Sequence, residues 1–306
     1  MSVPRVAVGP YPSDFATDAV RAGGGTVVDL ADSPDSLVWL DPTDVPGLAA
    51  WLEQVPAARW VQLPFAGVER VAEAGLLDEV RIWTCAKGAY AEPVAEHALA
   101  LALAGLRHIP ARVEARSWGV PAGTSLYDRK VAILGGGGIA TSLLQQLAPF
   151  RVEATVVRRN PAPLPGAARV VPADALFDAL SGALVVFLAL ALTPETSGII
   201  SAPELAAMGE ASWLVNVARG RHVDTGALVD ALVSGSIAGA ALDVTDPEPL
   251  PDGHPLWGRP DCIITPHTAD TIEMVLPLLA QRIRTNVQRL SAGDPLVGRV
   301  DAAAGY

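Results

Sequence analysis

Three side chains far apart in the sequence stand where acid–base chemistry on a small anion could be done. Arg219 follows the apolar run "WLVNV", Glu248 lies in the Pro-rich segment after "GAALDV", and His267 follows "CIITP". A guanidinium grips a carboxylate with a planar fork and polarises an adjacent carbonyl. An imidazole delivers a proton near neutral pH, and a neighbouring carboxylate orients the ring and favours its charged form. Taken singly, Arg219 reads equally as a surface arginine on a turn, and Glu248 as one of several acids in "DVTDPEP". The chemistry requires all three to meet. Each follows an apolar strand-like run, and in an open α/β sheet the loops at the carboxyl ends of strands line the ligand crevice.

A fourth feature says what else belongs in that crevice. "VAILGGGGIATS" (131–142) places four glycines between an apolar run and a helical pattern. Such a bend is a dinucleotide fingerprint when a strand precedes it and a helix follows. Gly135 makes the tight turn and Gly137 lets a pyrophosphate approach the backbone, with Ala140 as the small third residue. Gly138 and Ile139 open a helix whose free N–H groups and positive dipole end face the phosphates. Glycines at a strand–helix turn also arise from packing alone, so the end of the next strand, "EATVVRRNP", matters. An acidic residue there would favour the NAD ribose, but Glu153 comes too early in the strand. Arg158 and Arg159 stand there instead, about twenty residues past the glycines. Two guanidiniums suit a 2′-phosphate, although a solvated pair at a strand end would look the same. NADP(H) is the expected cofactor, with NAD(H) as the alternative.

The elements that must position these groups alternate in kind. Strand-like runs "RVAV", "LVWL", "RWVQL" and "RIWTC" fill the first hundred residues. From residue 130 come "KVAIL", "EATVV", "ALVVFLAL", "SWLVNV", "IAGAALDV" and "CIIT", with helical spacing in "ATSLLQQLAPF" and "TGALVDALVSG". Alternation of this kind predicts parallel sheets and an α/β fold. Between the series lies a long helical stretch, 92–107, with Pro93 near its start, and a second long helix spans about 271–290. These predict helices crossing between two domains. The expected architecture is two Rossmann-like or flavodoxin-like doubly wound parallel-sheet domains with a cleft between them. Residues 1–98 plus 272–306 are expected to form a substrate-binding, flavodoxin-like domain, and 99–271 a dinucleotide-binding Rossmann domain. "NPAPLPG" (160–166) reads as a surface connection.

Composition narrows the partners. The 306 residues are 50% hydrophobic, ample for a large core, with formal net charge −11. So acidic a chain repels nucleic acid and anionic membranes, and local cations must overcome that field where an anion binds. No stretch reaches the ~18 apolar residues of a membrane span, and "MSVPRVAVGP" lacks the basic start and apolar core of a secretory signal. The two cysteines, Cys85 and Cys262, have no metal-ligand spacing; no metal is expected, and a reducing, cytoplasmic setting is.

The motifs "VAILGGGGIA", "LTPETSGII", "NVARG", "VDTGAL", "GAALDV", "EPLP", "HPLW" and "TPHTA", with "VAEHALALALAGLR" before them, resemble in order and spacing the D-isomer-specific 2-hydroxyacid dehydrogenases. The resemblance runs from about residue 61 to the C-terminus and is densest over 130–270. It implies that Arg219 holds the carboxylate of a 2-keto acid and polarises its carbonyl. It makes His267 the proton donor, steadied by Glu248, with hydride from a nicotinamide. It further implies that Asp243 accepts from the nicotinamide carboxamide, and that Thr193 and the backbone around Leu190 and Val217 line the cofactor. In "PFAGVE" it places the substrate carboxylate at the N–H groups of Ala66, Gly67 and Val68, with "CAKGAY" facing the nicotinamide. Cys85 replaces a common asparagine and Ala191 a common proline, so the geometry of the 85–90 loop is open. The first sixty residues match poorly. His97 is expected to pack within its helix; His222 and His254 sit in turns expected to be polar, and His108 closes a helix, none with a role.

The expected activity is NADP(H)-dependent reduction of a small 2-keto acid of the glyoxylate or hydroxypyruvate type. A homodimer, built around the interdomain helix and the segment after it, is implied by resemblance. One alternative is an NAD-dependent 3-phosphoglycerate dehydrogenase. Against it, Lys87 is the only obvious extra cation in the first-domain site loops, and an end at Tyr306 would leave no room for a regulatory domain. The other is a non-catalytic nucleotide-sensing interaction protein of the same fold.

Overall fold

The structure, a computed structural model, describes residues 3–302. Met1, Ser2 and Tyr306, on which the readings of the two chain ends partly rest, lie outside the described residues. The chain divides into two compact units, one of Met1–Tyr90 with Thr271–Tyr306 and one of Ala91–Asp270. The helix over residues 91–106 therefore falls whole in the second unit, whereas the sequence boundary cut it at 98.

The first unit is built on a five-stranded sheet: β1 (Arg5–Gly9), β2 (Thr26–Val27), β3 (Ser36–Trp39), β4 (Trp60–Gln62) and β5 (Ile82–Thr84). All pairs are parallel, in the order β2-β1-β3-β4-β5, which is the flavodoxin-like winding. β3 and β4 are buried at every residue, as a parallel sheet covered on both faces demands. Helices α1 (Asp14–Ala22), α2 (Val45–Gln54) and the short α3 (Glu69–Glu73) connect the strands. α1 starts where the Ser13 hydroxyl accepts from the Ala16 N–H, and α2 where the Asp44 carboxylate accepts from Gly47.

The second unit holds seven strands: β6 (Lys130–Leu134), β7 (Glu153–Val157), β8 (Arg169–Val171), β9 (Val185–Leu188), β10 (Trp213–Asn216), β11 (Gly239–Leu242) and β12 (Cys262–Ile264). Their order is β12-β11-β10-β9-β6-β7-β8, again all parallel. The winding reverses between β6 and β9, a doubly wound Rossmann arrangement whose switch point opens at that pair. Helices α4 (Ala91–Leu106), α5 (Ile109–Glu114), α6 (Gly138–Leu147), α7 (Leu176–Leu180), α8 (Ala202–Met208) and α9 (Thr225–Ser234) surround it. The Trp213 ring is wedged against Gly105 of α4 and Gly239 of β11. A Cβ on either glycine would fall 2.5 Å from that ring, so both positions are small to admit the indole. The chain then returns to the first unit through α10 (Ile272–Ala292), whose Val287 packs against Gly23 and Gly25 beside α1.

Among the described residues, ten of twelve strands are those expected from the sequence; β2 and β8 are additional, two and three residues long.

Candidate active site

The carboxyl edge of the second sheet carries the glycine bend. Gly135 follows β6 with φ of +109°, and a Cβ there would stand 2.2 Å from the Ala189 carbonyl oxygen at the end of β9. Only glycine allows both the positive φ and the close approach. Gly137 is the N-cap of α6, has no side-chain cap and has open space where its Cβ would be. The helix end thus presents backbone N–H groups to an uncrowded surface, the arrangement that suits a phosphate. Arg158, at the end of β7, lays its side chain beside the bend; a Cβ on Gly136 would meet Arg158 Cδ at 2.7 Å. Arg159 is exposed. Its charge reaches Glu195, whose carboxyl is held below its usual range first by the Thr193 side chain and, more weakly, by Arg159. These features fit a dinucleotide.

The acid–base residues come from three neighbouring strand ends. His267 and Glu248 meet directly, with imidazole Nδ1 2.6 Å from carboxylate Oε1. Both side chains are a little under half exposed, so the pair is open to a ligand. Arg219 follows β10 in a half-buried position, its Nη1 donating to the Ala218 carbonyl at 2.7 Å. The Asn216 side chain shapes this turn, donating to the Arg219 carbonyl and accepting from the Ala218 N–H. Gly220 then lets the turn abut the loop that carries Glu248: a Cβ there would lie 1.9 Å from the Thr245 carbonyl oxygen. Asp270 senses the group as a whole. Burial pushes its carboxyl up, His267 pulls it down, Asp243 raises it, and Arg219 lowers it again. The charges of Arg219 and His267 therefore act on one common neighbour.

The loop bearing His267 is held by Asp243. The His267 residue has φ of +49°, an uncommon conformation outside glycine. It is stabilised by its N–H, which donates to the Asp243 carbonyl at 2.8 Å. The Asp243 carboxylate accepts from the Thr265 hydroxyl at 2.6 Å and from the N–H groups of Thr268 and Ala269 at 2.9 and 3.1 Å. His97 of α4 approaches from the far side, Nε2 3.1 Å from Thr265 Oγ1 and 3.3 Å from Asp243 Oδ1. Burial raises the carboxyl's pKa, but these bonds outweigh it and hold the group down at about 2. The side chain is only 1% exposed. This use of Asp243, bracing the loop rather than facing outward, was not legible in the sequence. His97 likewise makes polar contacts where packing was expected.

Known proteins resemble this chain in sequence and in fold. The pattern described as "D-isomer specific 2-hydroxyacid dehydrogenase, NAD binding domain" matches residues 97–269, more than half of the chain. This chain belongs to that family. It is 39% identical over 300 residues to the "Uncharacterized protein in proB 3′region" of Corynebacterium melassecola, covering 95% of this chain and 96% of that one. It is 36% identical over 177 residues to a glyoxylate/hydroxypyruvate reductase A of Serratia proteamaculans, an alignment spanning 58% of this chain and 56% of that relative. A D-isomer specific 2-hydroxyacid dehydrogenase from Xanthobacter autotrophicus, solved with NADPH and MES, superposes with a TM-score of 0.86 over all of both chains at 27% identity.

Other residues singled out in this 2-hydroxyacid dehydrogenase take the following places. Leu190 and Thr193 lie in the loop after β9, where the Thr193 N–H donates to Thr196 Oγ1 at 2.8 Å and that hydroxyl donates to the Ala191 carbonyl. An alanine at 191 leaves this turn closed. Val217 is buried at the end of β10, and Ile139 sits in the first turn of α6. His222 is wholly buried, not in a polar turn. Within the first unit, Ala66 and Gly67 follow β4 at the surface, and Val68 is buried at the start of α3. Cys85 ties this loop to the next: its Sγ lies 3.6 Å from the Ala66 carbonyl and accepts from the Lys87 N–H at 3.4 Å. Burial pushes this thiol's pKa up, so it stays a neutral donor. Arg282 of α10 holds the same segment, its guanidinium donating to the carbonyls of Cys85 and Lys87 at 2.6 and 2.9 Å. No spacing rule marks Arg282, because its partners are backbone oxygens almost two hundred residues away.

The Asp243 brace has a pH signature. A carboxyl held below its ordinary pKa of 3.8 stabilises the fold above that value and loses the contribution as pH falls towards the folded-state pKa. The Tm of Asp243→Asn is expected to fall below that of wild type at neutral pH. The gap narrows as pH drops from 3.8 towards about 2. Thermal melts of both proteins over that window check it; a constant gap would mean the carboxylate's charge is not what holds the loop.

Proposed function

We propose that this chain is an NADP(H)-preferring reductase of small 2-keto acids, with glyoxylate or hydroxypyruvate as the substrate type. The observation that carries the reading is the 2.6 Å contact between His267 Nδ1 and Glu248 Oε1 beside the Arg219 turn. With Nδ1 held by the carboxylate, Nε2 is the nitrogen that gives a proton to the carbonyl oxygen as it becomes an alkoxide. Glu248 orients the ring by holding its Nδ1. Arg219 takes the substrate carboxylate in its fork and polarises the adjoining carbonyl. A bound nicotinamide dinucleotide supplies the hydride, and this chain would hold it through the backbone of Gly135, Gly137, Gly138 and Ile139, with Leu190, Thr193 and Val217 alongside. The preference for NADP(H) rests on Arg158 lying against the bend and on Arg159 next to it, with no acidic side chain at the end of β7. The glyoxylate/hydroxypyruvate reductase relative supports the substrate type. Ala66, Gly67 and Val68 are the proposed first-unit contacts for the carboxylate.

A second copy of the chain is the proposed partner. Among the described residues, Ile109, Val113, Trp118 and Val120 form a run of exposed apolar side chains on and after α5, with Trp118 97% exposed. Light scattering on the purified protein is expected to give a dimer mass, and Trp118→Asp to shift it towards the monomer; a monomeric wild type rejects this arrangement.

A panel of 2-keto acids assayed with NADPH and with NADH tests the activity itself. Oxidation of NADPH in the presence of glyoxylate or hydroxypyruvate is expected. Tight NADPH binding with no turnover across the panel would make the chain a nucleotide sensor instead.

His267→Ala should abolish turnover, by about a hundred-fold or more for loss of a general acid, while NADPH affinity stays nearly intact. Fluorescence titration with NADPH checks the second half, and a large loss of cofactor binding there contradicts the assigned role. Replacing Arg158 and Arg159 together with Ala is expected to move the kcat/KM ratio towards NADH. An unchanged ratio removes the 2′-phosphate assignment.

A further inference from the structure

Two loops of the second unit must keep a constant spacing for the reaction proposed above. One is the segment after β9, residues 190–198, which lines the proposed cofactor position. The other is the turn after β10 that bears Arg219. Among the described residues, backbone hydrogen bonds join them at the far side. The Gly198 N–H donates to the Arg221 carbonyl at 2.8 Å, and the Ile200 N–H to the His222 carbonyl at 3.0 Å. Nearer the glycine bend the link is a side chain. The His222 imidazole, 0% exposed, sets Nδ1 2.9 Å from the Thr196 carbonyl oxygen and Nε2 3.3 Å from the Leu190 carbonyl oxygen. These two carbonyls lie at opposite ends of the Thr193–Thr196 turn. Leu190 Cα in turn lies 3.0 Å from where a Gly135 Cβ would be. The His222 N–H donates to the Arg219 carbonyl at 3.2 Å. One residue therefore touches the Arg219 backbone and both ends of the loop that backs the glycine bend.

We propose that His222 is a positioning residue of this dehydrogenase, its buried imidazole bolting the cofactor-lining loop 190–196 to the turn that carries Arg219. The proposal rests on the reading of Arg219 and of the glycine bend given above. A side chain serving only to fill space there would need no polar atoms, and burying an imidazole is unfavourable unless its nitrogens find partners. Here both nitrogens lie by carbonyls of one loop. A neutral ring carries one N–H, so it donates to one of them, the 2.9 Å Thr196 contact being the closer, while the other nitrogen packs beside the Leu190 carbonyl. Loss of the ring frees that loop to drift relative to Arg219, and drifts of about 1 Å from sites outside the chemistry cost up to about a hundred-fold in rate.

The test compares His222→Leu, which fills the volume without donors, and His222→Asn, whose amide can take the place of Nδ1 towards Thr196. Readouts are Tm, the NADPH Kd by fluorescence titration, and kcat at saturating cofactor. For folded His222→Leu, measured well below its Tm, NADPH Kd should rise and kcat fall by about ten-fold each. His222→Asn should restore Kd to within about three-fold of wild type. Kd and kcat both within about two-fold of wild type in His222→Leu would overturn the proposal. So would losses in the two variants that merely follow their Tm. If His222→Leu does not fold, His222→Asn is compared with His222→Ala, which has no side-chain donor. Tighter NADPH binding by the Asn variant supports the bolt, and equal binding overturns it. A wild type that binds NADPH yet reduces no keto acid removes the reaction proposed above. The order of NADPH Kd among the variants then still decides the role of His222.

Discussion

The site depends on one buried carboxylate. Asp243 follows β11 with its side chain turned inward, and it gathers the Thr265 hydroxyl and the Thr268 and Ala269 N–H groups after β12, with His97 of α4 beside it. Carboxylates are costly to bury unless bonded to several donors, and here the number of donors is sufficient to keep the group ionised. In return the loop after β12 has one shape. Its N–H groups at 268 and 269 point at the carboxylate, so the chain must turn through a positive φ at His267, which throws the imidazole outward towards Glu248. The contact between His267 and Glu248 is exposed and would contribute little by itself. It is well placed because the backbone beneath it is anchored by a group that solvent does not reach.

The same logic of close backbone approach governs the other side of the site. Gly135 against Ala189, and Gly220 against Thr245, bring pairs of neighbouring loops into contact with no side chain between them. The first contact joins the β6 and β9 loops at the switch point; the second joins the β10 and β11 loops. His222 joins the β9 and β10 loops, and Asp243 the β11 and β12 loops. From β12 to β6 each adjacent pair of strand ends thus has its own fastening, and the trio is spread over loops that are consecutively tied.

Much of this could be read from the sequence, and the exceptions have physical reasons. Strands buried on both faces announce themselves as apolar runs, so "KVAIL", "ALVVFLAL" and "SWLVNV" were legible. β2 and β8 sit at the sheet edges with exposed or half-exposed first residues and only two and three residues each, too short for a pattern. The glycine bend and the residues Arg219, Glu248 and His267 stood out because type and spacing carry chemistry. The bracing residues did not. His97 lies among alanines and leucines and reads as packing, and His222 lies in "RGRHVD", where its neighbours suggest solvent. Their partners are a hydroxyl, a carboxylate and backbone carbonyls supplied by distant strands. The registers β11 to β12 and β9 to β10 bring those into range. Arg282, bonded to two carbonyls of the 85–87 segment, escaped for the same reason.

An acidic chain that binds a phosphate-bearing cofactor must concentrate its few cations, and the placement of its arginines shows how. Arg81, Arg151 and Arg259 are each matched by a nearby aspartate, Asp78, Asp128 and Asp261. Such pairs cancel locally and leave little field for a ligand. Arg158 and Arg159 are adjacent in sequence but differ in this respect. Arg159 shares its surroundings with Glu195, which it helps to keep ionised. Arg158 crosses Gly136, within the bend whose Gly137 N–H and helix end face outward. Its position depends on the missing Cβ at 136, because a methyl group there would occupy the path of the guanidinium stem. The proposed selectivity for a 2′-phosphate therefore leans on Arg158 more than on Arg159, and on Gly136 as much as on either. The four-glycine run then does two jobs: Gly135 and Gly137 shape an uncrowded surface that would take the proposed pyrophosphate, and Gly136 makes room for the cation that would distinguish one dinucleotide from the other.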